Sequence, residues 1–431
     1  TDMVRVFMIA QKCSRVTGRC QRVRISAHVN VRVNVHRPFM LPSARIMDEN
    51  PLHRELRRKG GASRVTNLID TNFHACGFRF PDEPLQRSAA RYFAERRYAP
   101  DPQGSRQARE AIASHYRGEG LDPGPEQLLL TASTSEAYQL LFNRLAGHGA
   151  NVLLPRPGYP LFEHLAQFNG LECRFYDMRF DRDFAIYHES MEASVDRDTA
   201  FICLISPNNP TGAVHSWDSL RRVLRLAEDV GASVISDEVF SIFRFDQHAP
   251  PQSLPRPAAL EHATTVFTVN GVSKMFASPD LKLGWILATG PQQRRDRELE
   301  RLIVANDMFL NASPLSQALV PTLFAEGAAF QAEMVGRVEA QRRVLLEELG
   351  AIGQLSFVEP RGGIHLVMRA DADQERYDDE ELAIALLREE DVYVHPGYLY
   401  GLGSGTFLVM SYLAPEARIR EGVRRIGRFL A

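Results

Sequence analysis

Lys274 follows a short apolar run, Thr265–Val269, across the turn Asn270–Val272, and its flanks Val272, Met275 and Phe276 are apolar. A lysine after a strand is ordinarily a surface charge, but apolar surroundings lower its pKa toward a nucleophilic amine able to form a Schiff base. Asp237 and Glu238 end another run, GASVISDEVF. They read either as a solvated strand end or as a carboxylate that keeps a ring nitrogen protonated through a charge-assisted hydrogen bond. Ile205–Gly212 (ISPNNPTG) is a rigid turn with two prolines, two asparagines and a glycine; it is a surface turn or a device that holds the Asn209 amide at a sheet edge. In Thr131–Glu136 (TASTSE) small hydroxyl residues precede a helix, where Ser133 or Ser135 caps it or the free backbone N–H groups cradle a phosphate. Arg156–Phe162 (RPGYPLF) offers Tyr159, a packing aromatic or a face for a planar ring.

What could bring five such features together is a sheet. Between about residues 85 and 325, seven short apolar runs alternate with helix-period segments: Leu128–Thr131, Asn151–Leu154, Leu171–Phe175, Phe201–Ile205, Ser233–Ser236, Thr265–Val269 and Trp285–Ala288. Nearly continuous apolar runs are expected of parallel strands buried on both faces. The helix predicted for Trp217–Val230 carries Leu220, Val223, Leu224 and Ala227 on one face, with Ser216 as N-cap and Gly231 just past its end. The fold class is therefore α/β: a mostly parallel seven-stranded sheet flanked by helices, with the chemistry-bearing residues on successive strand ends. From about residue 326 the pattern becomes that of a smaller α+β unit. Its expected helices lie near Phe330–Leu349, Asp379–Glu389 and Pro415–Leu430, and its strands at Gln354–Val358, Gly363–Arg369, Val392–His395 and Thr406–Tyr412.

The 431 residues exceed what one core usually sustains. Four segments are expected: a basic arm at 1–45, a stretch at 46–85 with two proline-rich turns that joins the small unit or a subunit contact, a large domain at 86–325 and a small one at 326–431. The arm carries nine Lys/Arg and one acid, leaving 42 basic against 52 acidic residues in the rest. Its stretch Arg22–Val35 alternates as a strand would, and it shows neither a secretory core nor the helix pattern of a DNA-reading head. The net charge of −2 gives no pull toward nucleic acid or membrane, and no apolar run approaches the length of a spanning helix. Five cysteines without disulfide or metal spacing fit a reducing compartment, the cytoplasm. His365 and His395 have no metal-site spacing and read as structural.

The order and spacing of SPNNPTG, SDEV and SK…LKLGW resemble those of the class I/II aminotransferases, enzymes of the aspartate aminotransferase fold that use pyridoxal 5'-phosphate. TASTSEAY, PRPGYPLFEHL and HPGY are similar to a bacterial alanine-aminotransferase-like subgroup. The resemblance covers roughly residues 65–430. It implies that Lys274 holds the cofactor as a Schiff base and then shuttles the proton, and that Asp237 pairs with the pyridine nitrogen. It further implies that Asn209 bonds the phenolic oxygen, that Tyr159 stacks on the ring, and that Ser133 and Thr134 bind the phosphate. Tyr98 matches a tyrosine that reaches the phosphate from a partner subunit, which implies a homodimer. The implied reaction moves an amino group from a small donor to a 2-oxo acid.

The chain departs from that family pattern at three places. Phe240 stands where a tyrosine usually donates to the phenolic oxygen, which predicts a raised Schiff-base pKa. Lys282 stands where a phosphate-binding arginine is usual. Val409, in FLVMSYL, stands where an arginine usually clamps the substrate carboxylate; Arg361 and Arg79 are the candidates to replace it. The missing clamp also opens an alternative in which the same cofactor serves a lyase, cyclase or decarboxylase.

Overall fold

The computed structural model describes residues 50–431 apart from 97, 148, 246–253, 311 and 372–376. The basic arm, including Arg22–Val35, lies outside the described residues. All seven apolar runs of the central region form strands, each within a few residues of the expected bounds. Numbering strands in chain order, a two-residue β1 (Thr66–Asn67) precedes β2 (Leu128–Thr131), β3 (Asn151–Arg156), β4 (Glu172–Asp177), β5 (Thr199–Ile205), β6 (Ser233–Asp237), β7 (Val266–Gly271) and β8 (Gly284–Thr289). The sheet order is β2-β8-β7-β6-β5-β3-β4. Only β8 runs against its neighbours, β2 and β7; the C-terminal ends of β2, β3, β5, β6 and β7 therefore meet at one edge.

Burial explains the sequence pattern. Every residue of β2, β6 and β7 is buried, as double-sided coverage by helices requires. Phe201, Cys203 and Ile205 face one core with Tyr138, Leu141 and Leu302. Ile202 and Leu204 face the other with Leu220, Val223, Leu224 and Ala227 of helix Trp217–Val230. That helix ends as expected: the Ser216 hydroxyl accepts from Ser219 N at 3.2 Å, and Gly231 takes φ +79°. The edge strand β4 is the exception to continuous burial, with Glu172 and Arg174 paired at 2.9 Å, the charged dressing that discourages further strand addition.

The smaller unit is built on β9 (Leu355–Phe357), β10 (His365–Ala370), β12 (His395–Pro396) and β13 (Phe407–Ser411), in the order β12-β13-β10-β9 and antiparallel throughout. The single strand expected at Val392–His395 is corrected to two. Val392–Tyr393 (β11) pairs in parallel with β1, and after Val394 the chain passes into the four-stranded sheet as β12. Residues 50–85 run alongside this unit: besides β1, Leu68 O accepts from Ser411 N at 2.6 Å, and Lys59 Nζ donates to Asp391 at 2.7 Å. The first of the two proline-rich turns expected there is instead a helix, Pro51–Arg58. Pro51 occupies its first position, where no N–H is needed, and the Asn50 side chain accepts from Leu52 N at 2.9 Å.

Candidate active site

Lys274 sits in a single helical turn, Val272–Met275, directly after β7. Burial alone pulls its half-buried amine down to about 8; no charged neighbour moves it. The Nζ lies 5.4 Å from the centroid of the Phe73 ring, an aromatic wall from the 46–85 stretch. The neutral amine needed for attack on a carbonyl is thus accessible near neutrality.

Asp237 ends β6, and the two acids found there have separate fates. Glu238 is buried and spoken for by the Ser236 hydroxyl at 3.1 Å and Arg256 at 3.5 Å. Asp237 is also buried, and desolvation raises its pKa to about 6 against the opposing pull of Val239 N and the Tyr138 hydroxyl. Those two groups donate to it at 3.1 Å each, Val239 N to Oδ1 and Tyr138 OH to Oδ2. Tyr138 was not singled out from sequence. It lies in helix Thr134–Leu145, and only the fold brings its hydroxyl to Asp237 at the end of β6.

The Asn209 loop is locked by its neighbours. Asn208 Oδ1 accepts from Thr211 N at 3.2 Å and from the Thr211 hydroxyl at 2.8 Å. Gly212 O accepts from Arg361 N and Gly362 N, both at 3.0 Å. A Cβ on Gly212 would lie 2.3 Å from Pro360 Cβ, and one on Gly362 only 2.5 Å from Pro207. Glycine at both places is what lets the small unit dock onto this sheet edge. Asn209 itself is half-buried, and its amide oxygen is enclosed without a hydrogen-bond partner.

The remaining residues surround this core unequally. The Ser133 hydroxyl caps its own helix by accepting from Glu136 N at 3.1 Å. The backbone at Ser133–Thr134 is approached closely by Gly284, where a Cβ would come within 2.9 Å of Thr134 N. Tyr159 is half-buried with its ring edge-on to Phe162, centroids 5.7 Å apart, and burial lifts its hydroxyl to about 12. Lys282 takes a left-handed φ of +51° just before β8 and is exposed. Tyr98 is 80% exposed, so this chain alone does not enclose it.

Of the two arginines considered for the carboxylate, Arg361 directs its guanidinium to Val214 O, and Arg79 is exposed. Val409 is fully buried in the middle of β13, directly opposite Val367 and His395. His365, read from sequence as structural, is buried beside Phe240, ring centroids 6.3 Å apart. Burial, then the nearness of Lys274 and of His395, holds its ring down at about 3.

A nucleophilic lysine, a buried carboxylate and an unpartnered amide at the C-terminal edge of a parallel sheet define an α/β enzyme that works on amines or carbonyls. Residues 82–426 match the family described as "Aminotransferase class I and II". The chain is 28% identical over 330 residues to nicotianamine aminotransferase A of Hordeum vulgare, which covers 75% of this chain and 70% of that protein. It is 25% identical over 386 residues to glutamate-pyruvate aminotransferase AlaA of Haemophilus influenzae, 88% and 94% covered. The solved alanine aminotransferase of Pyrococcus furiosus superposes with a TM-score of 0.81 at 23% identity, over 88% of this chain and 95% of that one. The chain belongs to the aminotransferase class I and II family, whose members depend on pyridoxal phosphate, and it is a transaminase.

Proposed function

We propose that this chain binds pyridoxal 5'-phosphate at the edge formed by β2, β3, β5, β6 and β7, and moves an amino group from a small amino donor to a 2-oxo acid. The observation that carries the reading is the lone, desolvated amine of Lys274 on the same edge as the buried Asp237 carboxylate. The residues fit the group: no described residue bonds the Asn209 side-chain amide, whose N–H groups are the donors an anionic phenolic oxygen needs, and the glycine at 284 leaves the helix start at Thr134 open to close approach. When bound, the cofactor supplies an electron sink that allows a bond at the substrate Cα to break.

Each of the chain's own groups then has a task. The Lys274 Nζ would hold the cofactor covalently and, when free, would take and return the substrate Cα proton; an amine titrating near 8 can do both at neutral pH. Asp237, held by Tyr138 and Val239, accepts from the ring N–H and keeps it protonated. Asn209 would donate an amide N–H to the phenolic oxygen, and Tyr159 would cover the ring. Ser133, Thr134 and Lys282 hold the phosphate with Tyr98 of a second copy. The homodimer this requires is supported by Tyr98 and by the exposed Val304, Met308, Phe309 and Leu310 at the end of helix Gln292–Phe309.

Incubation with pyridoxal phosphate, borohydride reduction and peptide mass spectrometry test the reading. The label is expected on the peptide containing Lys274 and absent from Lys274→Ala. A label elsewhere, or none, overturns it.

A further inference from the structure

On the sheet face around Val409 the charged Arg369, two residues from Val367, is paired with Asp371 at 2.6 Å, yet the face carries one polar group for which no described residue is a partner. In antiparallel strands, directly opposed residues share a face, and so do residues two apart. Val409 lies opposite Val367 and His395, and the pair His365–Ser411 is two steps along. Val367, Val409, His395, His365 and Ser411 therefore form one surface, and all are buried.

The polar members of this surface, with one exception, are engaged. His395 is bracketed by Tyr400 OH at 3.0 Å from Nδ1 and Tyr393 OH at 3.3 Å from Nε2. The Ser411 hydroxyl accepts from Leu413 N at 3.3 Å. His365 is the exception. It is 5% exposed, and no described residue bonds its ring nitrogens. It stands edge-on to Phe240, three residues beyond Asp237, and near enough to Lys274 for the ammonium to disfavour a charge on its ring. A buried imidazole left without a partner beside the reactive amine is a group kept for a ligand.

We propose that the His365 imidazole N–H is the donor that receives the carboxylate of the substrate. The inference rests on the transaminase reading above and assigns the task that neither Arg361 nor Arg79 is placed to perform. A 2-oxo acid and its amino acid both present a carboxylate one bond from the reacting carbon. Entering this pocket, that carboxylate loses water and must find a donor. His365 offers a single hydrogen bond where a guanidinium would offer two, so the affinity for simple amino acids is expected to be modest and to depend strongly on this one residue.

The test measures binding to the pyridoxal-phosphate-loaded protein by calorimetry. The probes are 2-methylalanine, which has no Cα hydrogen to lose, and its amide, which keeps the shape without the charge. His365→Phe is expected to weaken 2-methylalanine by about tenfold to a hundredfold, the range for one hydrogen bond to a charged group, and to leave the amide within about threefold of wild type. His365→Asn, which restores an N–H, is expected to recover part of the loss. Equal binding of 2-methylalanine by wild type and His365→Phe overturns the inference, as does tighter binding of the amide than of the acid by wild type. Each variant's retained cofactor, with its attachment at Lys274, is measured first. Loss of attachment in wild type sinks the transaminase reading itself, whereas retained attachment with unchanged acid binding sinks only the role of His365.

Discussion

Asp237→Asn is expected to make the cofactor-free protein more stable at pH 7.5 while weakening its hold on the cofactor. Burial raises the Asp237 carboxyl from an ordinary 3.8 to about 6. Between pH 4 and 6 the folded chain keeps this proton while the unfolded chain has lost it. Unfolding then releases a proton, so stability falls as pH rises through that window and stays lower above it. About two pKa units at ~1.4 kcal/mol each put the deficit near ~3 kcal/mol at neutral pH. An asparagine carries no charge to desolvate, but its single acceptor oxygen can serve Tyr138 or Val239 and not both. The lost hydrogen bond takes back ~1 kcal/mol, which leaves ~2 kcal/mol in favour of the variant. Calorimetry of both cofactor-free proteins should show a melting temperature a few degrees higher for Asp237→Asn at pH 7.5, with the gap closing by pH 4. A variant no more stable at pH 7.5, or a gap that ignores pH, would refute the claim that a desolvated carboxylate is what the fold tolerates here.

Three further outcomes follow from the same geometry. The rate at which the cofactor-free protein captures pyridoxal phosphate should rise through a midpoint near pH 8, following the Lys274 amine; a midpoint near the ordinary lysine value would show that burial does not set it. Phe240→Tyr returns a hydroxyl to the site beside His365, and the pH midpoint of the bound cofactor's visible band should fall by about one to two units; an unchanged titration would dismiss any effect of the missing donor. Gly284→Ala drives a Cβ to within 2.9 Å of Thr134 N and Ser133 C. Its cofactor affinity, by equilibrium dialysis, should drop about tenfold or more, and wild-type affinity would show that the cradle has slack.

The strands were legible because all but the edge strand of the large sheet are apolar along most of their length, which only double-sided burial explains. The residues on their ends were legible because turn chemistry and charge stand out after such runs: ISPNNPTG, SDEV and the lysine after VFTVNG. Residue types alone left Asp237 and Glu238 open and only the family resemblance chose Asp237; the fold separates them physically, by giving Glu238 to Arg256 and Ser236. Tyr138 looked like one more apolar helix position, because nothing local says that its hydroxyl meets a strand distant in sequence. Phe73 and His365 come from outside the central sheet, and their approach to Lys274 depends on how the small unit docks. That docking is made by backbone contacts among Gly212, Pro360, Arg361 and Gly362, which leave almost no trace in a hydrophobic pattern. The break between β11 and β12 was missed for a related reason: Val392–His395 is one continuous run in sequence, and only the change of partner divides it.

The site's two titrating groups point to why the fold tolerates them. Asp237 is held near 6 and Lys274 near 8, on either side of neutrality, each chiefly by burial. Both perturbations penalise the charged form, so the cofactor-free protein is destabilised at both groups in the pH range where it must work. A ligand that hydrogen-bonds the carboxylate and consumes the amine removes both penalties together. The stabilisation on cofactor binding should then exceed what mass action gives for a preformed neutral pocket of equal size, and Asp237→Asn should lose about half of that excess, the share of its own penalty beside that of Lys274. Lys274→Ala, which removes the amine and its penalty together, should narrow the gap in melting temperature between loaded and cofactor-free protein from the opposite side, by stabilising the latter. If neither variant narrows the gap, the strain in the cofactor-free site lies elsewhere, and the burial of these two groups is incidental to cofactor binding.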